Sequence, residues 1–205
     1  MRKESRTVFK LGVTGGIGSG KTSVCRVFKV LGIPVFSADT EAKGIMDNND
    51  GIIRRINSIA GKNLYVKGTL DRMELATLIF NDNTLLDKVN SLVHPVVFDH
   101  FNKWEMEQDA IYVIMEAAIL FESGASKLVN RIVTVVAPLE ERVDRVINRN
   151  GLSREQVLER MRNQMADDSR IKQSDYVIHN SEKDMIIPAI LKIHEDILTY
   201  INTSF

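Results

Sequence analysis

Gly15-Gly16-Ile17-Gly18-Ser19-Gly20-Lys21-Thr22 stands between two stretches of different periodicity. Before it, Val8 to Val13 reads as a short apolar strand. After it, Thr22 to Leu31 reads as a helix with Val24, Val27, Phe28 and Leu31 on one face. The octet fits G-x-x-x-x-G-K-[ST], the phosphate-binding P-loop, in the strand–loop–helix setting that the motif needs. A glycine-rich turn there exposes a series of backbone N–H groups, with the positive end of the helix dipole just behind them. Lys21 can neutralise the outer phosphates of a nucleotide, and the Thr22 hydroxyl can ligate Mg²⁺.

Composition bounds the class of protein around that loop. The 205 residues allow one domain with insertions and are ample for a buried core. Lys+Arg and Asp+Glu both total 27, so no global field recruits nucleic acid or an acidic membrane. The expected partners are small molecules, with no nucleic acid and no membrane, for a monomer or small homo-oligomer. Met1-Arg2-Lys3-Glu4-Ser5-Arg6 is charged, and the apolar run behind it stops at Gly12, too short for a signal-peptide core. No stretch approaches transmembrane length. Cys25 is the single cysteine, so an internal disulfide is impossible and a reducing, cytoplasmic compartment is expected. Within the P-loop helix it reads as a small buried apolar residue, not a redox group.

Outward from the loop, Ile33-Pro34-Val35-Phe36 reads as a second strand ending at Ser37-Ala38-Asp39. The pattern is then mostly helical to about Asp109, with helices predicted over Asp71–Phe80, Thr84–Val93 and Pro95–Met106. Strand signals resume at Ile111–Met115, Arg131–Val136 and Tyr176–Ile178, and a long helix runs from about Glu182 to Thr199. Strands separated by helices imply parallel pairing with right-handed crossovers. The expected fold is a three-layer α/β/α P-loop fold of about five parallel strands. Its core falls at about 7–60, 110–150 and 174–205. The helical stretch of about 61–109 is too long for one crossover and reads as a substrate-binding insertion. A lid is expected at about 151–173, opening with the capping-box signature Ser153-Arg154-Glu155-Gln156.

The P-loop alone does not choose between GTPases, motor ATPases and small-molecule kinases. A GTPase needs N-K-x-D to read guanine; Asn102-Lys103-Trp104-Glu105 has the wrong acid and lies inside a predicted helix. A DNA-linked ATPase should be longer and basic. A kinase with one insertion for the acceptor and another over ATP accounts for both excursions, and arginines in such a lid suit a reaction catalysed by positioning and charge neutralisation.

Asp39 follows the second strand, at the end where parallel sheets place ligands. It can accept or orient the proton of an attacking hydroxyl, or simply cap the helix beginning near Thr40. Glu116 ends an apolar run, the place of an acid that acts on Mg²⁺ directly or through water, or of an ordinary surface glutamate; Glu122 can share or support that role. Arg142, Arg145 and Arg149 stripe one face of a predicted helix Leu139–Asn150, with Leu139, Val143, Val146 and Ile147 opposite. They form a solvated basic face, or they place Arg145 and Arg149 over adenine and phosphates. His94-Pro95 marks a helix start, with His94 a weaker candidate for ligand contact. Neither a zinc-ligand spacing nor a G-x-S-x-G elbow is present.

Together these stretches resemble the dephospho-coenzyme A kinase family over nearly the whole chain. Thr14 to Lys21 is similar to that family's own form of the P-loop, followed by Leu31-Gly32 and the acid at Asp39. Leu70-Asp71-Arg72, His94-Pro95 and Leu120-Phe121-Glu122 match its middle signatures. Arg145, Arg149-Asn150-Gly151-Leu152-Ser153, Arg160 with Gln164, and Asp175-Tyr176-Val177-Ile178-His179-Asn180 match the later ones. The resemblance implies ATP-dependent phosphorylation of the ribose 3′-hydroxyl of dephospho-CoA on an adenylate-kinase-like fold with a helical acceptor subdomain and a lid. It places Gly16, Gly18, Ser19, Gly20, Lys21, Thr22 and Ser23 on ATP phosphates and Mg²⁺, with Glu116 joining Thr22 at the metal. Asp39 looks like the proton acceptor, with Lys21 and Arg149 as further catalytic residues. Arg72, His94 and Glu116 fall on the acceptor side, and Arg145 and Asn180 frame ATP.

The chain departs from the family pattern at Ser37, where the first Asp of D-A-D is usual, so Asp39 must act alone. Glu116 and Ala118 replace Asp and Pro, Ile119 replaces a leucine, and Arg142 replaces a Gln. Thr22-Ser23 exchanges the common Ser-Thr order and keeps both hydroxyls. Two other readings remain open: a P-loop kinase for another small hydroxyl acceptor such as a nucleoside or nucleotide, and a nucleotide-binding switch.

Overall fold

The structure is a computed structural model that describes residues 8–204; the charged stretch 1–6 and the first residue of the expected core lie outside them. In chain order the elements are β1 (Phe9–Thr14), α1 (Lys21–Val30), β2 (Val35–Ser37), α2 (Ala38–Asn48), α3 (Asp50–Ala60), β3 (Tyr65–Val66), β4 (Thr69–Leu70), α4 (Arg72–Asn81) and α5 (Asn83–Met106). There follow β5 (Tyr112–Glu116), β6 (Arg131–Val136), α6 (Leu139–Asn150), α7 (Arg154–Arg162), α8 (Asp167–Lys172), β7 (Tyr176–His179) and α9 (Ile186–Ser204). The chain divides into two compact units, one made of the residues up to Phe36 and from Glu107 onward, the other of Ser37–Met106.

The first unit carries a five-stranded sheet in the order β2-β5-β1-β6-β7. β1 pairs in parallel with β5 from Phe9↔Tyr112 to Val13↔Glu116, and with β6 from Leu11↔Arg131 to Thr14↔Thr134. β6 continues in parallel to β7, from Val133↔Tyr176 to Val136↔His179. The strands are near-continuous apolar runs because both faces are covered; Tyr112 through Met115 are all fully buried. On one face Phe9, Leu11, Val13, Ile114, Val133, Val135 and Ile178 pack against Val24, Cys25 and Phe28 of α1 and Ile190, Ile193 and Ile197 of α9. Each such side chain contributes about 1.5–3 kcal/mol by leaving water. Cys25 is part of this core, and burial, reinforced by the Glu116 charge, pushes its thiol well above the ordinary range. It is an apolar filler.

A second apolar cluster joins Val143 and Val146 of α6 to Val157 of α7, with Ile17 and Leu152 against it. Gly151 takes a left-handed conformation that ends α6, and Ser153 with Gln156 forms the expected reciprocal cap that starts α7. Leu139, expected on the apolar face of α6, is instead half exposed, because it lies in the first turn, before the helix reaches this cluster.

The second unit holds α2–α5 and a small antiparallel hairpin, β3–β4. Its start at Ser37 differs from the expected 61: the helical excursion begins directly where β2 ends, since Ala38 already opens α2. The expected break at His94-Pro95 is absent, and α5 is one helix with Pro95 inside it. Pro95 has no N–H to give the Ser91 carbonyl, which costs the helix one bond. The stripe Val89, Val93, Val97 and Phe101, all buried, runs straight through the proline. Packing of that stripe holds the helix together across the lost bond. The hairpin turns at Lys67 and Gly68, both at positive φ (50° and 82°). Strands of two residues carry too little alternation to stand out in sequence.

Candidate active site

Six residues, Gly15 to Gly20, connect β1 to α1. Gly20 sits at the helix N-cap at φ 94°, and a Cβ there would fall 1.9 Å from Asn180 Nδ2, so only glycine fits. No side chain caps α1, which leaves its first N–H groups available to an anion. Three consecutive loop carbonyls are held from outside. Ile17 O accepts from Arg142 Nε at 3.0 Å, Gly18 O from Arg145 Nη1 at 3.5 Å, and Ser19 O from Asn180 Nδ2 at 2.8 Å. A trans peptide points its C=O and its N–H in opposite directions. The clamps therefore turn the Gly18 and Gly20 N–H groups away from α6 and Asn180, while Ser19 N–H bonds back to Gly16 O at 3.1 Å.

Lys21 Nζ donates to Gly15 O at 2.8 Å and Gly16 O at 3.4 Å, folded down on the loop it closes. Among the described residues, the buried hydroxyls of Ser19 and Thr14 have no hydrogen-bond partner. An orphaned buried hydroxyl costs about 1–3 kcal/mol, and a phosphate oxygen is an acceptor that would relieve Ser19. Ser23 is exposed in the first turn of α1. The sheet register places Glu116 opposite Val13, at the foot of the loop, and Thr22 Oγ1 donates to Glu116 Oε1 at 3.2 Å. A hydroxyl and a carboxylate brought together at the start of α1 are hard oxygen donors of the kind Mg²⁺ takes, so the residues present fit that ion.

The arginine stripe of α6 divides into three fates. Arg142 is buried and paired with Asp167 at 2.6 Å; burial lowers its proton affinity and the Asp167 charge opposes this. Arg145 is half-buried and bonds Glu141 Oε2 at 2.9 Å and Asn180 O at 3.0 Å besides the loop. Arg149 is exposed, its Nε donating to Asn150 Oδ1 at 2.9 Å, and the structure does not bring it to the loop. Glu122 does not join Glu116: its Oε1 accepts Met165 N–H at 2.9 Å and lies 3.5 Å from Arg170 Nη2. Sequence reasoning assigned no role to Gln164, whose Oε1 accepts Ile17 N–H at 2.8 Å, nor to Asp167 and Arg170. Gln164 stands in the sequence signature it shares with Arg160, while the signal for Asp167 and Arg170 is a density of charge after α7.

In the helical unit Asp39 is the second residue of α2 and exposed; the cap position belongs to Ser37. Asp39 is thus a first-turn acid and not the helix cap. Ser37 Oγ shares a hydrogen bond of 3.1 Å with Thr40 Oγ1. Arg72 bonds Asp47 Oδ2 at 2.6 Å and Lys43 O at 3.3 Å. His94 lies mid-helix in α5, stacked on Phe98, and burial lowers its pKa below the ordinary 6.5.

A model of the dephospho-CoA kinase family matches residues 9–185. The chain belongs to the dephospho-CoA kinase family. It is 39% identical over 185 residues to a dephospho-CoA kinase of Bacteroides fragilis, covering 90% of each chain. A crystal structure of a Thermus thermophilus protein superposes with a TM-score of 0.81 at 33% identity, over 95% of this chain and 98% of that one. The dephospho-CoA kinase of Campylobacter jejuni, 24% identical, shares the fold at a TM-score of 0.67 over 92% and 96% of the two chains. The central parallel sheet flanked by helices is the fold expected for a P-loop kinase. No described helix is long and apolar enough to cross a membrane.

Proposed function

We propose that this chain phosphorylates the ribose 3′-hydroxyl of dephospho-CoA with ATP, giving coenzyme A and ADP. The hydroxyl oxygen forms a bond to the γ-phosphorus, the bond from that phosphorus to the bridging oxygen breaks, and ADP leaves. Asp39 takes the hydroxyl proton. Gly16, Gly18, Ser19, Gly20, Lys21, Thr22 and Ser23 receive the phosphates, and Arg145 and Asn180 hold the loop that frames ATP. Thr22 and Glu116 would hold Mg²⁺, Glu116 directly or through water, and the ion would supply positive charge to the phosphates. Arg72 and His94 serve the acceptor. Arg149 joins the phosphates when the segment 151–173 closes as a lid. The enzyme works in the cytoplasm on small molecules, as a monomer or small homo-oligomer.

One observation supports this reading most directly: in a chain of this family, the loop carbonyls of Ile17, Gly18 and Ser19 are all clamped from outside, which preorganises the loop for phosphate. The test is ADP release measured across dephospho-CoA, nucleosides, nucleotides and pantothenate-derived compounds. Turnover should be confined to dephospho-CoA, with coenzyme A as product. Faster turnover of a nucleoside or nucleotide would overturn the assignment of the acceptor.

Lid closure has its own readout. Amide exchange over 151–173 should slow when ADP and dephospho-CoA are bound together, because closure excludes water from the phosphates. Unchanged exchange across the segment would mark it as a static decoration.

A further inference from the structure

Ile17 has both of its backbone groups held by side chains from the segment around α6–α8. Its carbonyl accepts from Arg142 Nε at 3.0 Å and its N–H donates to Gln164 Oε1 at 2.8 Å. Arg142 lies under the loop with 7% of its surface exposed, and a Cβ on Gly16 would fall 2.1 Å from its Nη2. Guanidinium and loop backbone are therefore in direct contact. The other end of the fork is anchored, Nη1 lying 2.6 Å from Asp167 Oδ2. Asp167 opens α8 and also accepts from Arg170 Nη1 at 2.9 Å; Arg170 is 1% exposed and reaches Glu122. A line of buried and half-buried charge thus runs from the loop to residues 164–170.

A residue needed only to fill volume would not require this arrangement. A planar guanidinium offers donors in fixed directions, here one to a carbonyl and one to a carboxylate. Removing Asp167 strands the buried Arg142 guanidinium with little water around it, whereas Asp167 without Arg142 still has Arg170. We propose that Arg142, anchored by Asp167, is a positioning residue for the kinase reaction: it sets the Ile17 peptide and, through it, the direction of the N–H groups that receive the nucleotide phosphates. The inference rests on reading the loop as the ATP site, but not on the identity of the acceptor. By reciprocity, nucleotide on the loop steadies residues 164–170 as much as those residues steady the loop.

The test compares Arg142→Met, Arg142→Lys, Asp167→Asn and the double variant Arg142→Met/Asp167→Asn. ADP affinity is measured by calorimetry, KM for ATP and dephospho-CoA by steady-state turnover, and stability by thermal unfolding. Arg142→Met should weaken ADP binding and raise KM for ATP by about tenfold or more, the value of a lost hydrogen bond to a charged group. KM for dephospho-CoA should stay within about twofold. Arg142→Lys, which keeps the charge opposite Asp167 and loses the Nε donor, should fall between wild type and Arg142→Met. Asp167→Asn should shift ADP affinity in the same direction, and the double variant should be no worse than Arg142→Met, because Asp167 acts through Arg142. ADP affinity within about twofold of wild type in folded Arg142→Met, with only the melting temperature lowered, overturns the proposal. So do additive losses in the double variant. If Arg142→Met does not fold, Asp167→Asn decides, and unchanged ADP affinity there overturns it. Wild-type protein that binds ADP and ignores dephospho-CoA would instead overturn the assigned reaction, leaving the ADP measurements to judge Arg142.

Discussion

Asp39→Asn should lower turnover by about 10²–10⁴-fold, the range of general acid–base catalysis, and leave ATP affinity near its wild-type value. Asparagine keeps the size of the side chain and loses its power to take a proton. No second carboxylate stands at the position two residues before it, where Ser37 instead shares its hydroxyl with Thr40. The alternative role is also defined by position. As an acid in the first turn of α2, Asp39 interacts favourably with the helix dipole, an effect of about 0.3–1 kcal/mol. A residue with that role alone would lower the melting temperature slightly and leave turnover within about fivefold of wild type. Measuring turnover, ATP binding and thermal unfolding on the one variant separates the two. A loss smaller than fivefold would remove Asp39 from the mechanism.

The second large effect is expected at Lys21. Lys21→Ala should cost at least ~10²-fold in turnover, because it deletes a cation from the β- and γ-phosphates in a reaction catalysed by charge neutralisation. The ammonium rests on the Gly15 and Gly16 carbonyls, and phosphate oxygens are stronger acceptors for it than carbonyls. Alanine is the best helix former, and Lys21 is the first residue of α1, so the fold should survive with its melting temperature nearly unchanged. Near-normal turnover at saturating ATP would show that the loop backbone alone carries the phosphates.

The loop, its strand and its helix were legible in sequence because all three lie within Phe9–Val30 and each has its own local signal. The same holds for the capping box at Ser153 and for the acid ending β5. What escaped were destinations. Periodicity placed Arg142, Arg145 and Arg149 on one helix face, yet one is buried under the loop, one bridges it to Asn180, and one is exposed. Spacing says which side chains are neighbours on a helix and nothing about what the facing segment offers them. Likewise Pro95 gave a correct local signal for a break that the buried stripe from Val89 to Phe101 overrode. The start of the helical unit has no turn residue to mark it, because β2 passes directly into α2. Nearness in sequence groups Glu122 with Glu116, while the structure turns it toward Met165 and Arg170.

The side chains that hold the loop carbonyls are supplied late in the chain: the Arg142–Ile17 bond spans 125 residues and the Asn180–Ser19 bond 161. A ribosome adding about 5–20 residues per second therefore adds Ser19 roughly 8 to 32 s before Asn180. β1 must wait as well, since β5 and β6, its neighbours on both sides, come after Met106. During that interval the glycine-rich segment is an unsupported length of chain and the apolar first strand has no sheet to enter. The last of the three loop clamps waits for Asn180, close to the end of synthesis. The nascent protein passes about half of its synthesis, from Thr14 to Glu116, with its apolar first strand unpaired.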